Sequence, residues 1–260
     1  MSRADDCVLV KREGPLATIV LNRPDRRNSV TVEMCRRVHE AAREVADSDA
    51  RVVILRGAGN DFSVGADIGG GGGESHAPPT YEELGMLHHA GTVLHTMPQV
   101  SIAAIDGGCA GAAFGWAAAC DFRFATPEAR LNTAILAVGV PGDMGMAWSL
   151  SRMLGGARAR ELMFFPEKIT GQQALDIGLV TRLFPRDGFH DAVRALADQL
   201  CAREPFALRM MKANMVSADD LPIADFIDVE SARSLHCTNR PDFAARMAEA
   251  YRHSKGGKPA

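Results

Sequence analysis

The sequence predicts an α/β fold in which a strand-and-helix core is followed by a helical C-terminal section. Three observations carry this. Short apolar runs alternate with amphipathic stretches through the first half of the chain. Two of those runs, Val52-Val53-Ile54-Leu55 and Ser101-Ile102-Ala103-Ala104-Ile105, lead into turns rich in glycine and alanine. After Pro141 the pattern is helical almost to the end, with breaks near Pro166, Pro185, Pro205, Pro222 and Pro241.

Taken in order, Val8-Leu9-Val10 and Ala17 to Leu21 are apolar runs separated by Glu13-Gly14-Pro15, which predicts a hairpin. Thr31 can cap a helix running to about Asp47, because its hydroxyl can accept from a free N–H of the first turn. Met34, Val38, Ala41, Ala42 and Val45 then fall on one face at helical spacing. The runs at 52–55 and 101–105 are apolar at every position, the signature of strands buried on both faces. A helix is expected over Tyr81 to Thr96, another from the second turn through Ala119, and a strand at Phe122 to Ala125. These elements define a β/α core over residues 1–190 and a helical section over 191–260. The latter carries Met210, Met211, Met215, Phe226, Phe243 and Met247, too much apolar surface for a short appendage to bury alone, so an oligomer interface is expected there.

Composition narrows the function. A chain of 260 residues with 47% hydrophobic content can bury a substantial core. A net charge of −3 without a basic stripe argues against a nucleic-acid partner. The six cysteines are scattered without metal-ligand spacing and read as free thiols, so no metal is expected. The absence of a signal-like segment and of any apolar run of spanning length predicts a cytoplasmic protein with no membrane partner. Five glycines at Gly69 to Gly73 are not followed by Gly-Lys-Ser/Thr, so they read as a flexible lid and not as a phosphate loop.

The chemistry is predicted at the two turns, Phe62 to Ile68 and Asp106 to Gly115. Small residues at a strand end let backbone N–H groups point into a cleft unobstructed. Two such donors aimed at one carbonyl oxygen stabilise an enolate or tetrahedral oxyanion, with about 3 kcal/mol lost per donor removed.

Several ordered blocks carry a family resemblance: Leu21-Asn22-Arg23-Pro24 with Asn28, Gly65-Ala66-Asp67-Ile68, Asp106 to Asp121, Gly139-Val140-Pro141-Gly142, Ile177-Gly178-Leu179-Val180, and Lys212. On these the chain resembles the crotonase (enoyl-CoA hydratase/isomerase) superfamily from about Val8 to Arg252. The resemblance implies a spiral of repeated ββα units, with a C-terminal section that mediates a trimer or a dimer of trimers. It implies an acyl-CoA thioester substrate, with coenzyme A part of that substrate and no separate cofactor. Ala66 and Ala112 become the oxyanion donors, with Asp67, Ile68, Gly111, Ala134 and Leu136 at the substrate. Arg26 and Arg27 lie in the loop that contacts coenzyme A in relatives, where a guanidinium suits phosphate.

The hydratases of this family use two glutamates, and their offsets fall here on Gly115 and Ala134. Neither can move a proton, so two-carboxylate hydration is not expected. Asp143, after Val140-Pro141-Gly142, resembles the acid/base aspartate of dienoyl-CoA isomerases and of the ring-epoxide isomerases of phenylacetate degradation. Among Val140, Met144, Met146 and Trp148 its pKa can rise toward neutrality. An ordinary helix cap is the alternative role, and capping donors would lower that pKa. Two further readings stand beside isomerisation: a silent acyl-CoA binder, and a thioester or C–C hydrolase using His88 or His89. Met86, Leu136, Trp116 and Trp148 are candidate walls of the acyl pocket, and Gly115 and Ala134 are expected to leave room for a branched or cyclic acyl group.

Overall fold

The computed structural model describes residues 6–67 and 80–256. Ile68 and the glycine run that reads as a lid lie outside the described residues. Two compact units divide the chain, Met1–Arg203 and Glu204–Ala260.

In the first unit, β1 (Val8–Glu13) and β2 (Leu16–Leu21) pair antiparallel through a tight turn at Gly14, whose φ of 58° suits glycine. Helix α1 (Val32–Ala46) follows, and the Thr31 hydroxyl accepts from the Met34 N–H at 3.1 Å, as the capping pattern predicts. Its six buried residues include all five of the expected face. Strand β3 (Val52–Gly57) then pairs parallel to β2. Helices α2 (Tyr81–His88) and α3 (Ala90–Thr96) stand where one helix was expected, and the chain passes between them at His89. Strand β4 (Val100–Ile105), buried throughout, pairs with β3. The short β5 (Gly108–Ala110) runs directly into α4 (Gly111–Ala119). Next come β6 (Phe122–Ala125), β7 (Arg130–Asn132), α5 (Met146–Phe164), β8 (Ile169–Thr170), α6 (Gly171–Asp176), β9 (Arg182–Leu183) and α7 (Phe189–Cys201).

The main sheet has the order β1-β2-β3-β4-β6-β9, parallel apart from the β1–β2 hairpin. A second sheet, β5-β7-β8, has its strands interleaved in chain order with those of the first. Its value to the site is local: β5 carries the chain from the buried β4 into the N-terminus of α4. Helix α7 packs on β3, so the first unit ends after the helix that the sequence reading placed in the C-terminal section.

The second unit comprises α8 (Pro205–Ala218), α9 (Ile223–Thr238) and α10 (Phe243–Gly256). Glu204 caps α8, its carboxylate accepting from the N–H groups of Phe206 and Ala207. Met211, Met215, Ile223, Leu235 and Met247 on these helices are exposed.

Candidate active site

Backbone pairing brings the two glycine-and-alanine turns together. The Ser63 N–H donates to the Gly108 carbonyl at 2.8 Å, and the Ala110 N–H donates to the Ser63 carbonyl at 3.0 Å. Gly65 has a φ of 88°, and a Cβ there would lie 3.2 Å from the Ala110 carbonyl oxygen, so only glycine fits this crossing. On the opposing turn, a Cβ at Gly111 would lie 3.6 Å from the Gly65 Cα and 4.0 Å from the Ala66 nitrogen. Ala66 is exposed and Ala112 half-buried. Ala112 is the second residue of α4, where an N–H has no acceptor within its own helix, and no side chain caps that end. Neither amide donates to a backbone carbonyl among the described residues outside regular helix and strand pairing.

A polar frame holds this arrangement, and within it Asn28 and Asp61 carry a structural role that was not expected of them. Asn28 is completely buried; its Nδ2 donates to the carbonyls of Ala58 and Asp61, each at 2.8 Å, while its Oδ1 accepts from the Arg23 N–H. The Ser63 hydroxyl donates to the Asn28 carbonyl at 2.6 Å. Asp61 receives the Arg27 guanidinium through two bonds of 2.8 and 3.0 Å and the Gly108 N–H at 2.7 Å. Burial alone would raise the Asp61 pKa, but these donors bring it below its ordinary value. Asp67 pairs with Arg23 at 2.8 Å, which likewise holds its carboxyl low. Asp61 had no signal in its neighbours, because its partners come from two other segments.

Of the two loop arginines, Arg27 is thus engaged with Asp61, while the exposed Arg26 side chain makes no hydrogen bond or ion pair among the described residues and acts on Asp67 only through its charge. Leu136 lies exposed in a short 3-10 turn, Ile135–Val138. Ala134, preceding it, has a φ of 58°, and its N–H donates to Asn132 Oδ1 at 2.8 Å.

Asp143 is not a helix cap. Gly145 is the N-cap of α5, and no side chain caps that helix. The reason is backbone geometry: Met144 and Gly145 both have positive φ, 49° and 72°, so helical dihedrals begin only at Met146. Asp143 Oδ1 is buried without a hydrogen-bond partner among the described residues. Burial pushes the carboxyl above its ordinary range, and the positive charge of His88 opposes that rise. The Cys35 thiol nearby is pushed up to about 12 by burial and then by Asp143, so it stays neutral at physiological pH. His88 is half-buried at the end of α2; His89 is exposed, its Nδ1 3.0 Å from the Thr92 hydroxyl.

The room expected at Gly115 is absent. A Cβ there would lie 2.6 Å from the Met144 Cβ, so the methionine already occupies that space. Trp116 is fully buried in the core, not in a pocket wall. Trp148 stands edge-on to His95 with ring centroids 4.9 Å apart, under the Arg152 guanidinium at 3.8 Å. Glu161 and Glu167 line a surface cavity of about 460 Å³ that includes none of the candidate site residues.

Known proteins place the fold in one family. The enoyl-CoA hydratase/isomerase family model matches residues 11–249. A Δ(3,5)-Δ(2,4)-dienoyl-CoA isomerase of Rattus norvegicus is 30% identical over 223 residues, covering 81% of this chain and 68% of the relative. Among solved structures, an enoyl-CoA hydratase/carnitine racemase of Magnetospirillum magneticum superposes with a TM-score of 0.84 at 30% identity, over 96% of this chain and 93% of that one. A Thermobifida fusca protein solved with acetoacetyl-CoA superposes with a TM-score of 0.82 at 28% identity, over 94% and 95%. The chain belongs to the enoyl-CoA hydratase/isomerase family and is an enzyme acting on acyl-CoA thioesters.

Proposed function

We propose that the chain is an isomerase that moves a double bond of an acyl-CoA with one carboxylate. The observation that carries this reading is the Asp143 carboxylate, desolvated and without a partner at Oδ1, on a turn packed against α4. That contact falls at Gly115, one helical turn beyond Ala112 on the same face. Neither the Ala66 nor the Ala112 amide donates to a backbone carbonyl among the described residues outside regular pairing, so both can donate to a thioester oxygen. Asp143 removes a proton from the carbon alpha or gamma to the thioester. The C–H electron pair enters the conjugated enolate, and the two amides stabilise its oxygen. The same carboxyl returns the proton to another carbon of the conjugated system, so no atom is gained or lost.

A second carboxylate for activating water has no place here, since Gly115 is filled by Met144 and position 134 is alanine. The similarity to a dienoyl-CoA isomerase supports a conjugated acyl group. Arg26, whose exposed side chain has no hydrogen bond among the described residues, offers its guanidinium to coenzyme A phosphate. The exposed apolar side chains of the C-terminal unit support assembly as a trimer or dimer of trimers, which sedimentation checks directly. No helix among the described residues is long and apolar enough to cross a membrane, in keeping with a cytoplasmic setting.

The test is incubation of the purified protein with 3-enoyl-, 3,5-dienoyl- and 2-enoyl-CoA, following conjugation by absorbance and release of free thiol. Isomerisation without hydration or thiol release is the expected outcome. Thiol release would transfer the chemistry to a histidine-assisted hydrolase, and inertness would leave a binder.

A further inference from the structure

Asp143 raises a question of aim. Among the described residues its Oδ1 has no hydrogen bond to hold it, so its direction must come from the backbone that presents it. That backbone is pinned at the next residue. Met144 is 3% exposed and sits at a φ of 49°, a left-handed conformation that costs a non-glycine residue about 1 kcal/mol. It persists because two helices grip it where side chains would ordinarily keep them apart. On α3, a Cβ at Gly91 would lie 2.6 Å from the Met144 carbonyl oxygen. On α4, a Cβ at Gly115 would lie 2.6 Å from the Met144 Cβ and 3.5 Å from the Asp143 carbonyl oxygen. That same carbonyl accepts from the Met146 N–H at 3.0 Å and ties the turn to α5.

We infer that Met144, clamped between Gly91 and Gly115, is the positioning residue that fixes where the Asp143 carboxylate points relative to the enolate. This rests on the isomerase reading above. Helix α4 thereby serves both ends of the reaction: its first turn presents the Ala112 amide, and its next turn sets the distance to the proton carrier. A carboxylate displaced by about 1 Å loses on the order of a hundredfold in rate. The glycine at 115, where hydratases carry a glutamate, is then what makes room for the methionine wedge.

The experiment measures kcat and KM for 3,5-dienoyl-CoA, and the Kd of acetoacetyl-CoA, in Gly115→Ala, Met144→Ala and Asp143→Asn proteins whose folding is verified by circular dichroism. Gly115→Ala pushes the turn outward and Met144→Ala loosens it, and each should lower kcat about a hundredfold with the acetoacetyl-CoA Kd within about twofold of the parent. The acid limb of the kcat profile should move toward the ordinary carboxylate range as the loosened carboxyl gains water. Parental kcat in Met144→Ala, which introduces no clash and so decides the matter even if Gly115→Ala misfolds, would overturn the inference. A loss that tracks acetoacetyl-CoA affinity would overturn it too. Full turnover in Asp143→Asn sinks the isomerase reading and this inference together, whereas inactive Asp143→Asn beside fully active Met144→Ala sinks the positioning role alone.

Discussion

Ser63 and Cys109, 46 positions apart in the chain, lie side by side in a parallel bridge, and that bridge joins the two turns. The pairing is backbone to backbone, and the side chains of Asn28, Asp61 and Ser63 brace the segments that carry Ala66 and Ala112. Replacing Ala112 by proline removes the N–H while leaving a residue tolerated in the first turn of a helix. We expect kcat to fall about a hundredfold or more, with far-ultraviolet circular dichroism retained. Near-parental turnover would mean that the Ala112 amide does not touch the reacting oxygen.

Asn28 supports the same frame from below. Its amide donates to two carbonyls, and its φ of 55° is one that asparagine and aspartate both accept. Asn28→Asp therefore leaves the backbone preference alone but sets a carboxylate against the Ala58 and Asp61 carbonyls in a fully buried position. The expected cost is about 3 kcal/mol. Thermal unfolding should show a midpoint lowered on the order of 10 °C. A shift within the scatter of surface substitutions would remove Asn28 from this role.

Arg26 and Arg27 separate by their partners. Arg27 engages Asp61 through two hydrogen bonds, while the Arg26 side chain makes none among the described residues. Arg26→Ala should raise KM several-fold at low salt and leave kcat unchanged, with the difference shrinking as ionic strength rises. An unchanged KM at low salt would take Arg26 out of coenzyme A recognition.

Much of this was legible in the sequence, and what was not has a common cause. The buried strands at 52–57 and 100–105 declare themselves because every residue is apolar, and Thr31 declares α1 through its hydroxyl. Local chemistry sufficed for both. Asp143 reads as a helix cap only if helix α5 begins beside it, yet the positive φ at Met144 and Gly145 delays that start. That conformation is imposed by Gly91 and Gly115, distant in sequence, whose missing side chains say nothing about what fills the gap. The same holds for Asp61, which is joined to Arg27 and Gly108 by folding alone.

Asp143 gives the sharpest test, because activity and stability should respond in opposite directions. As a base it must be ionised, so kcat/KM should rise with pH on an acid limb placed above the ordinary carboxylate range, where burial has moved the group. Asp143→Asn should lose about a hundredfold or more in turnover and lose that limb as well. For stability the sign runs the other way. The folded protein holds the Asp143 proton more tightly than the unfolded chain does, so ionisation costs stability as pH climbs from the unfolded value through the raised folded one. Below that window the carboxyl is neutral in both states and asparagine should change little. At pH 7 the buried charge is gone in Asp143→Asn, and the unfolding midpoint should exceed the parent's by a few degrees, with the gap closing near pH 3. Denaturation scans at the two pH values check this. A variant less stable than its parent at pH 7 would show that the carboxylate is stabilised by contacts absent from this structure, and that desolvation is not what prepares it to carry a proton.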